Sequence, residues 1–176
     1  MPSRTYRIEP LPGYAPTIGR LVGMLLYARQ TTLAAVEGLS TEELDHLQDG
    51  SSNSIGALLA HIAVVERAYH VLTFEERRLT AQEQAAWDPA LKLGAEGRRL
   101  LRGQPLEYYL HELSEARRLT LEGLAARDDA WLERTLSAAP EMNAHWAWFH
   151  VAEDEINHRG QMRWLRARLA PRNQIV

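Results

Sequence analysis

Apolar residues recur every three to four positions through four long stretches of this chain, and that spacing predicts four helices. The first stripe is Ile18, Leu21, Val22, Leu25, Leu26, Leu33 and Val36, with Arg20, Arg29 and Gln30 off it and Gly38 closing it. Gly19 and Gly23 sit inside that helix four residues apart. They suit either the close approach of another helix or simple tolerance of glycine. The second stripe, Ile55, Leu58, Leu59, Ile62, Val65, Tyr69 and Leu72, reaches Phe74 and comes after a polar loop, Asp49–Ser54, that supplies an N-cap. The third starts at Pro105, a residue suited to a first helical turn, and carries Leu106, Tyr109, Leu110, Leu113, Leu121 and Leu124. The fourth runs from Asn143 to Leu169, with Arg163, Arg166 and Arg168 complementing its carboxyl-terminal dipole and Pro171 ending it.

The segments between these stripes are short or broken. Ser40 with Glu43 three residues on reads as a capping box over a short turn. Residues 75–104 are the least regular: Thr80–Ala86 fits a short helix ended near Asp88–Pro89, and Gly94, Gly97, Gly103 and Pro105 break the chain beyond it. Asp128–Asp129 opens another short segment, and Ser137–Pro140 reads as a connector. Residues 1–16 form an extended lead-in punctuated by Pro2, Pro10, Pro12 and Pro16. No strand-like alternation, internal repeat or low-complexity tract stands out. The expectation is one all-α domain over residues 1–176: an antiparallel four-helix bundle whose unequal linkers favour a long crossover connection over plain up-down-up-down order.

Composition narrows the chemistry. A chain of 176 residues, 45% hydrophobic and 24% charged, should bury roughly 70% of its unfolded surface, so it needs no covalent staple. It has no cysteine, which excludes disulfides, thiolate metal sites and cysteine nucleophiles. Twenty basic residues against 23 acidic ones, a formal charge of −3, leave no basic footprint for nucleic acid. No uncharged apolar run reaches ~20 residues, so no membrane span is expected. Neither is a signal peptide, and the default compartment is the cytoplasm. Serine nucleophile elbows, phosphate-binding glycine loops and zinc-finger spacings are absent.

The remaining chemistry lies where helical periodicity turns ligand-type residues inward. His61 falls on the stripe Leu58, Val65, Ala68, Leu72. In the last helix, His150, Asp154 and His158 succeed one another at four-residue intervals beside the apolar face of Trp148, Val151, Met162 and Leu165. Asp154 and His158 can hold two corners of a metal, with His61 completing the triangle. Two imidazoles and a carboxylate suit Zn²⁺, Fe²⁺, Ni²⁺ or Mn²⁺, and three protein ligands leave a position open for water. Spacing alone equally admits a buried Asp154–His158 ion pair without metal. Glu155 is the reserve ligand, Glu66 is expected to be solvated or paired with Arg67, and Arg159 to cap or pair at the surface. Gln161 is placed to donate into the site, and His145, Trp146, Trp148 and Phe149 to form core, dimer contact or pocket mouth.

The segment Ser54–His61 together with His158-Arg159-Gly160-Gln161 resembles the DinB/YfiT-like superfamily of metal-dependent enzymes, over nearly the whole chain. That resemblance implies a four-helix bundle holding a divalent ion, often nickel or zinc, on three histidines. His61 and His158 match two of them; Asp154 stands where the third histidine is expected, and His150 matches a position often histidine. The implied activities are thiol-dependent transfer, with a low-molecular-weight thiol as partner, and metal-dependent hydrolysis. A non-catalytic, stress-associated bundle or small-ligand binder is the competing expectation. A homodimer is expected from leftover apolar faces and five tryptophans.

Overall fold

A computed structural model describes residues 7–169; Pro2 and Pro171 lie outside them. Four long helices form: α1 (Pro16–Val36), α3 (Ile55–Phe74), α6 (Leu106–Ala125) and α8 (Ala144–Arg166). Between them lie α2 (Thr41–Asp45), α4 (Ala81–Lys92), α5 (Gly94–Leu100) and α7 (Asp129–Leu132), and a hairpin of β1 (Thr135–Leu136) and β2 (Ala139–Asn143). Helix starts obey the expected chemistry. Ser40 and Thr80 make full capping boxes with Glu43 and Glu83, and Ser54 and Asn143 cap α3 and α8 by accepting from Ala57 and Trp146 backbone N–H groups.

Inter-helix bonds fix the directions. Arg29 meets Glu155, Thr31 meets Arg159, and the Ala35 carbonyl meets Arg166, so α1 and α8 run parallel. His61 lies by His158 and Tyr69 by His150, so α3 and α8 are antiparallel. Gly56 packs on Tyr109 and Gly123 on Phe74, so α3 and α6 are parallel. Around the ring the order is α1, α8, α3, α6, with sense up-down-down-up along the chain. The crossover is the α3–α6 connection that contains α4 and α5, in keeping with its length.

The core divides into two apolar clusters along the bundle. One gathers Ile18, Leu21, Val22, Leu25, Leu124, Trp131 and Trp148; the other gathers Val36, Leu44, Leu58, Leu59, Ile62, Tyr109, Leu113 and Met162. Helix α3 is the one described helix apolar and long enough to cross a membrane, but most of it is buried in the bundle and Glu66 and Arg67 sit along it.

Four local expectations change. The hairpin contradicts the absence of strands: Leu136 pairs with Ala139 across the Ser137–Ala138 turn, a register too short to show as alternation. Helix α4 continues through Pro89 to Lys92, because buried Ala90 packs against α3 and outweighs the missing N–H. The glycine-rich stretch after it is helical; a Cβ on Gly97 would come within 2.9 Å of the Pro89 carbonyl oxygen, so the α4–α5 corner requires glycine there. Gly19 permits close approach of the lead-in at Leu11, not of another helix, whereas Gly23 meets open space.

Candidate metal centre

His61 on α3 faces Asp154 and His158 on α8. His61 Nε2 lies 3.5 Å from Asp154 Oδ2, and His158 Nε2 lies 3.3 Å from Asp154 Oδ1. The imidazoles meet edge to face with centroids 4.6 Å apart. One donor atom from each residue fits within 4.8 Å of the others, so the three form a group able to hold a metal ion. Their side chains keep 10%, 15% and 14% exposure respectively. The group is therefore recessed but not sealed.

Several polar atoms at this spot lack the partner that a proton or a metal ion would supply. His61 Nδ1 lies 2.8 Å from the Ala90 carbonyl oxygen, which can only accept, so Nδ1 carries the proton. In the neutral ring Nε2 is then a lone pair pointing at a carboxylate oxygen. Asp154 Oδ2 and His158 Nδ1 are buried without hydrogen-bond partners. The His61 Nε2 lone pair and Asp154 Oδ2 face each other and repel unless a proton or a metal ion sits between them, and the residues present fit a metal on donor type. The Ala90 carbonyl orients His61 as a ligating imidazole is usually oriented by its other nitrogen.

Without a metal, the same contacts favour a proton shared between His61 and Asp154. Burial works to lower the His61 pKa, yet the Asp154 carboxylate and the Ala90 carbonyl outweigh it and hold it above the ordinary value. Burial likewise works to raise the Asp154 pKa, but His158 and His61 outweigh it and keep the carboxyl well below the usual range. Asp154 is therefore ionised across the neutral pH range.

The other candidates lie elsewhere. Glu155, the reserve ligand, is fully buried on a different face of α8, where it binds Arg29 at 2.8 Å and Arg117 at 3.0 Å. Glu66 is not solvated. It is fully buried and binds Arg29 at 2.8 Å and Arg117 at 2.6 Å, while Arg67 pairs instead with Glu112. Arg29 and Arg117, both under 10% exposed, each also donate to a backbone carbonyl across the gap between α1 and α6. This four-charge cluster joins all four long helices. The stripe reading leaves Arg29 outside, but it lies four residues from both Leu25 and Leu33, and Arg117 four from both Leu113 and Leu121, so the periodicity itself points them inward. His150 is half-buried away from the group, edge to face with Tyr69, bonded to Glu153 at 3.1 Å and stacked on exposed Trp146. Trp148 is core and Phe149 exposed. Arg159 donates to the Thr31 hydroxyl, and exposed Gln161 lines a separate surface hollow with Asn157 and Trp164.

Apolar periodicity gives no sign of the Ala90 carbonyl, a backbone group on a helix expected to end before it. Compared with known proteins, the chain has no significant match among curated sequences. The family model for mycothiol-S-transferases matches residues 20–171, a span that contains all three residues of the group. The chain thus belongs to the mycothiol-S-transferase family, within the DinB/YfiT-like superfamily.

Proposed function

We propose that this protein is a metal-dependent thiol S-transferase that holds one divalent ion on His61, Asp154 and His158 and moves a low-molecular-weight thiol of the mycothiol type onto an electrophilic acceptor. The observation that carries the metal part is the meeting of two imidazole Nε2 atoms with the two oxygens of the Asp154 carboxylate, of which Oδ2 is buried without a hydrogen-bond partner. The thiol part rests on family membership. A divalent ion so placed supplies Lewis acidity, which makes a neighbouring thiol or water acidic near neutral pH.

The chain's own residues do the rest. Ala90 holds the proton on His61 Nδ1 and so presents Nε2 to the site. Asp154 brings a fixed negative charge that partly neutralises a dication and lowers the electrostatic cost of burying it. The partial exposure of all three side chains leaves the group reachable from solvent. Zn²⁺, Ni²⁺, Fe²⁺ and Mn²⁺ all suit this donor set.

The test combines elemental analysis with turnover. Purified protein should carry or bind one equivalent of divalent metal and conjugate the thiol to a chromogenic electrophile. His61→Ala and His158→Ala should lose both properties while remaining folded. A folded, metal-free wild type whose two variants are equally stable would refute the proposal and leave a non-catalytic bundle.

A further inference from the structure

The order of elements repeats. Helices α1, α2 and α3 are succeeded, after the α4–α5 crossover, by α6, α7 and α8, again long, short, long. The residues repeat with it. Ala28-Arg29-x-x-Thr32-Leu33 on α1 returns as Ala116-Arg117-x-x-Thr120-Leu121 on α6, and His61-Ile62-Ala63-x-x-Glu66 on α3 returns as His150-Val151-Ala152-x-x-Glu155 on α8. A constant offset relates α1–α2 to α6–α7, and one residue more relates α3 to α8. The same offsets pair the N-caps: Ser40 with Asp128, and Ser54 with Asn143, each accepting from the N–H three residues on.

Burial and bonding obey the same correspondence. Leu25 and Leu113, Thr32 and Thr120, Leu44 and Leu132, Ile62 and Val151, and Glu66 and Glu155 are buried alike. The charged cluster is reciprocal. Arg29 donates to the Leu113 carbonyl and Arg117 to the Leu25 carbonyl, both at 2.5 Å, and each arginine binds both glutamates. A twofold axis across the bundle exchanges α1 with α6 and α3 with α8, consistent with their opposed directions, and passes through this cluster. The repeat is thus physical, even though apolar periodicity conceals it among interchangeable Leu, Ile and Val.

That axis has a consequence for the metal centre. It carries His61 to His150, Asp154 to Val65, and His158 to Tyr69. The image group is present: Tyr69 and His150 meet edge to face with centroids 5.7 Å apart, as His61 and His158 do at 4.6 Å. We propose that the chain is an internal twofold repeat and that His150, Val65 and Tyr69 are the second copy of the His61–Asp154–His158 site, stripped of two of its three donors. The inference rests on the metal-centre reading for the first copy. The crossover explains which copy kept its function. Helix α4 brings Ala90 against His61, whereas no element comes after α8 among the described residues to do the same for His150, whose Nδ1 turns to Glu153.

The test is metal stoichiometry of the full chain, read by Co²⁺ titration monitored in the visible spectrum and by elemental analysis. Wild type should bind one equivalent. Tyr69→His adds no buried carboxylate and places a second imidazole beside His150, so it should bind a second, weaker equivalent. Val65→Asp with Tyr69→His should bind the second equivalent more tightly, and the single variant keeps the test decisive should that buried acid prevent folding. Adding His150→Ala should remove only the second equivalent, and adding His61→Ala only the first. One equivalent in wild type and still one in both variants overturns the second site while the first stands. None in wild type overturns the metal-centre reading, and none in Tyr69→His as well overturns both.

Discussion

His61, Asp154 and His158 compensate one another, and the pH behaviour of the protein should show it. The His61 pKa is raised above its ordinary 6.5. The stabilisation from its protonated form is therefore complete below 6.5 and lost as pH rises through the higher folded value. Metal binding has the opposite sign, because it needs the imidazoles deprotonated and strengthens as pH rises. Melting temperatures measured from pH 6 to 8.5 should thus fall for chelator-treated protein and rise for protein with excess metal. Parallel curves would contradict the assignment. Asp154→Ala leaves two imidazoles and should weaken metal binding by more than ~100-fold, read by competition with a chromophoric chelator. Undiminished affinity would mean the acid does not ligate.

At the scale of elements, helix α3 packs closely on α6 because Gly123 lets the Phe74 ring approach. A Cβ there would come within 2.5 Å of the ring, and Phe74 is itself stacked on Trp131 and Trp148. Gly123→Ala should therefore destabilise the protein by about 1–3 kcal/mol through overpacking, measured by urea unfolding. A stabilised variant would show that the ring has room to move. The four long helices, their caps and the inward histidines are legible in the sequence because period and capping chemistry are local. Helix α4 beyond Pro89 is not: what holds it is Ala90 buried against another helix, a contact distant in sequence. Glu66 and Arg29 fall within the apolar stripes, four residues from Ile62 and from Leu25, yet a charged side chain reads as solvated until its buried partners on other helices are known.

For the molecule as a whole, the Arg29–Glu66–Arg117–Glu155 cluster is the joint between its two halves. Both arginines use every guanidinium nitrogen, so removing one leaves two buried carboxylates on a single cation. Arg117→Met should cost about 3–5 kcal/mol. Arg29→Met should cost a similar amount if the halves are equivalent, and the double variant should depart from the sum, because both act on the same pair of acids. Chemical denaturation of the three variants gives these values; additive effects would mean that the arginines act independently.

The most direct measurement is the metal content of the wild-type chain beside that of His158→Ala, both purified under identical conditions and saturated with Zn²⁺ before removal of excess. One equivalent retained by the wild type and none by the variant is the predicted result. An empty wild type, or a variant that still holds its full equivalent, would contradict a centre built on His61, Asp154 and His158.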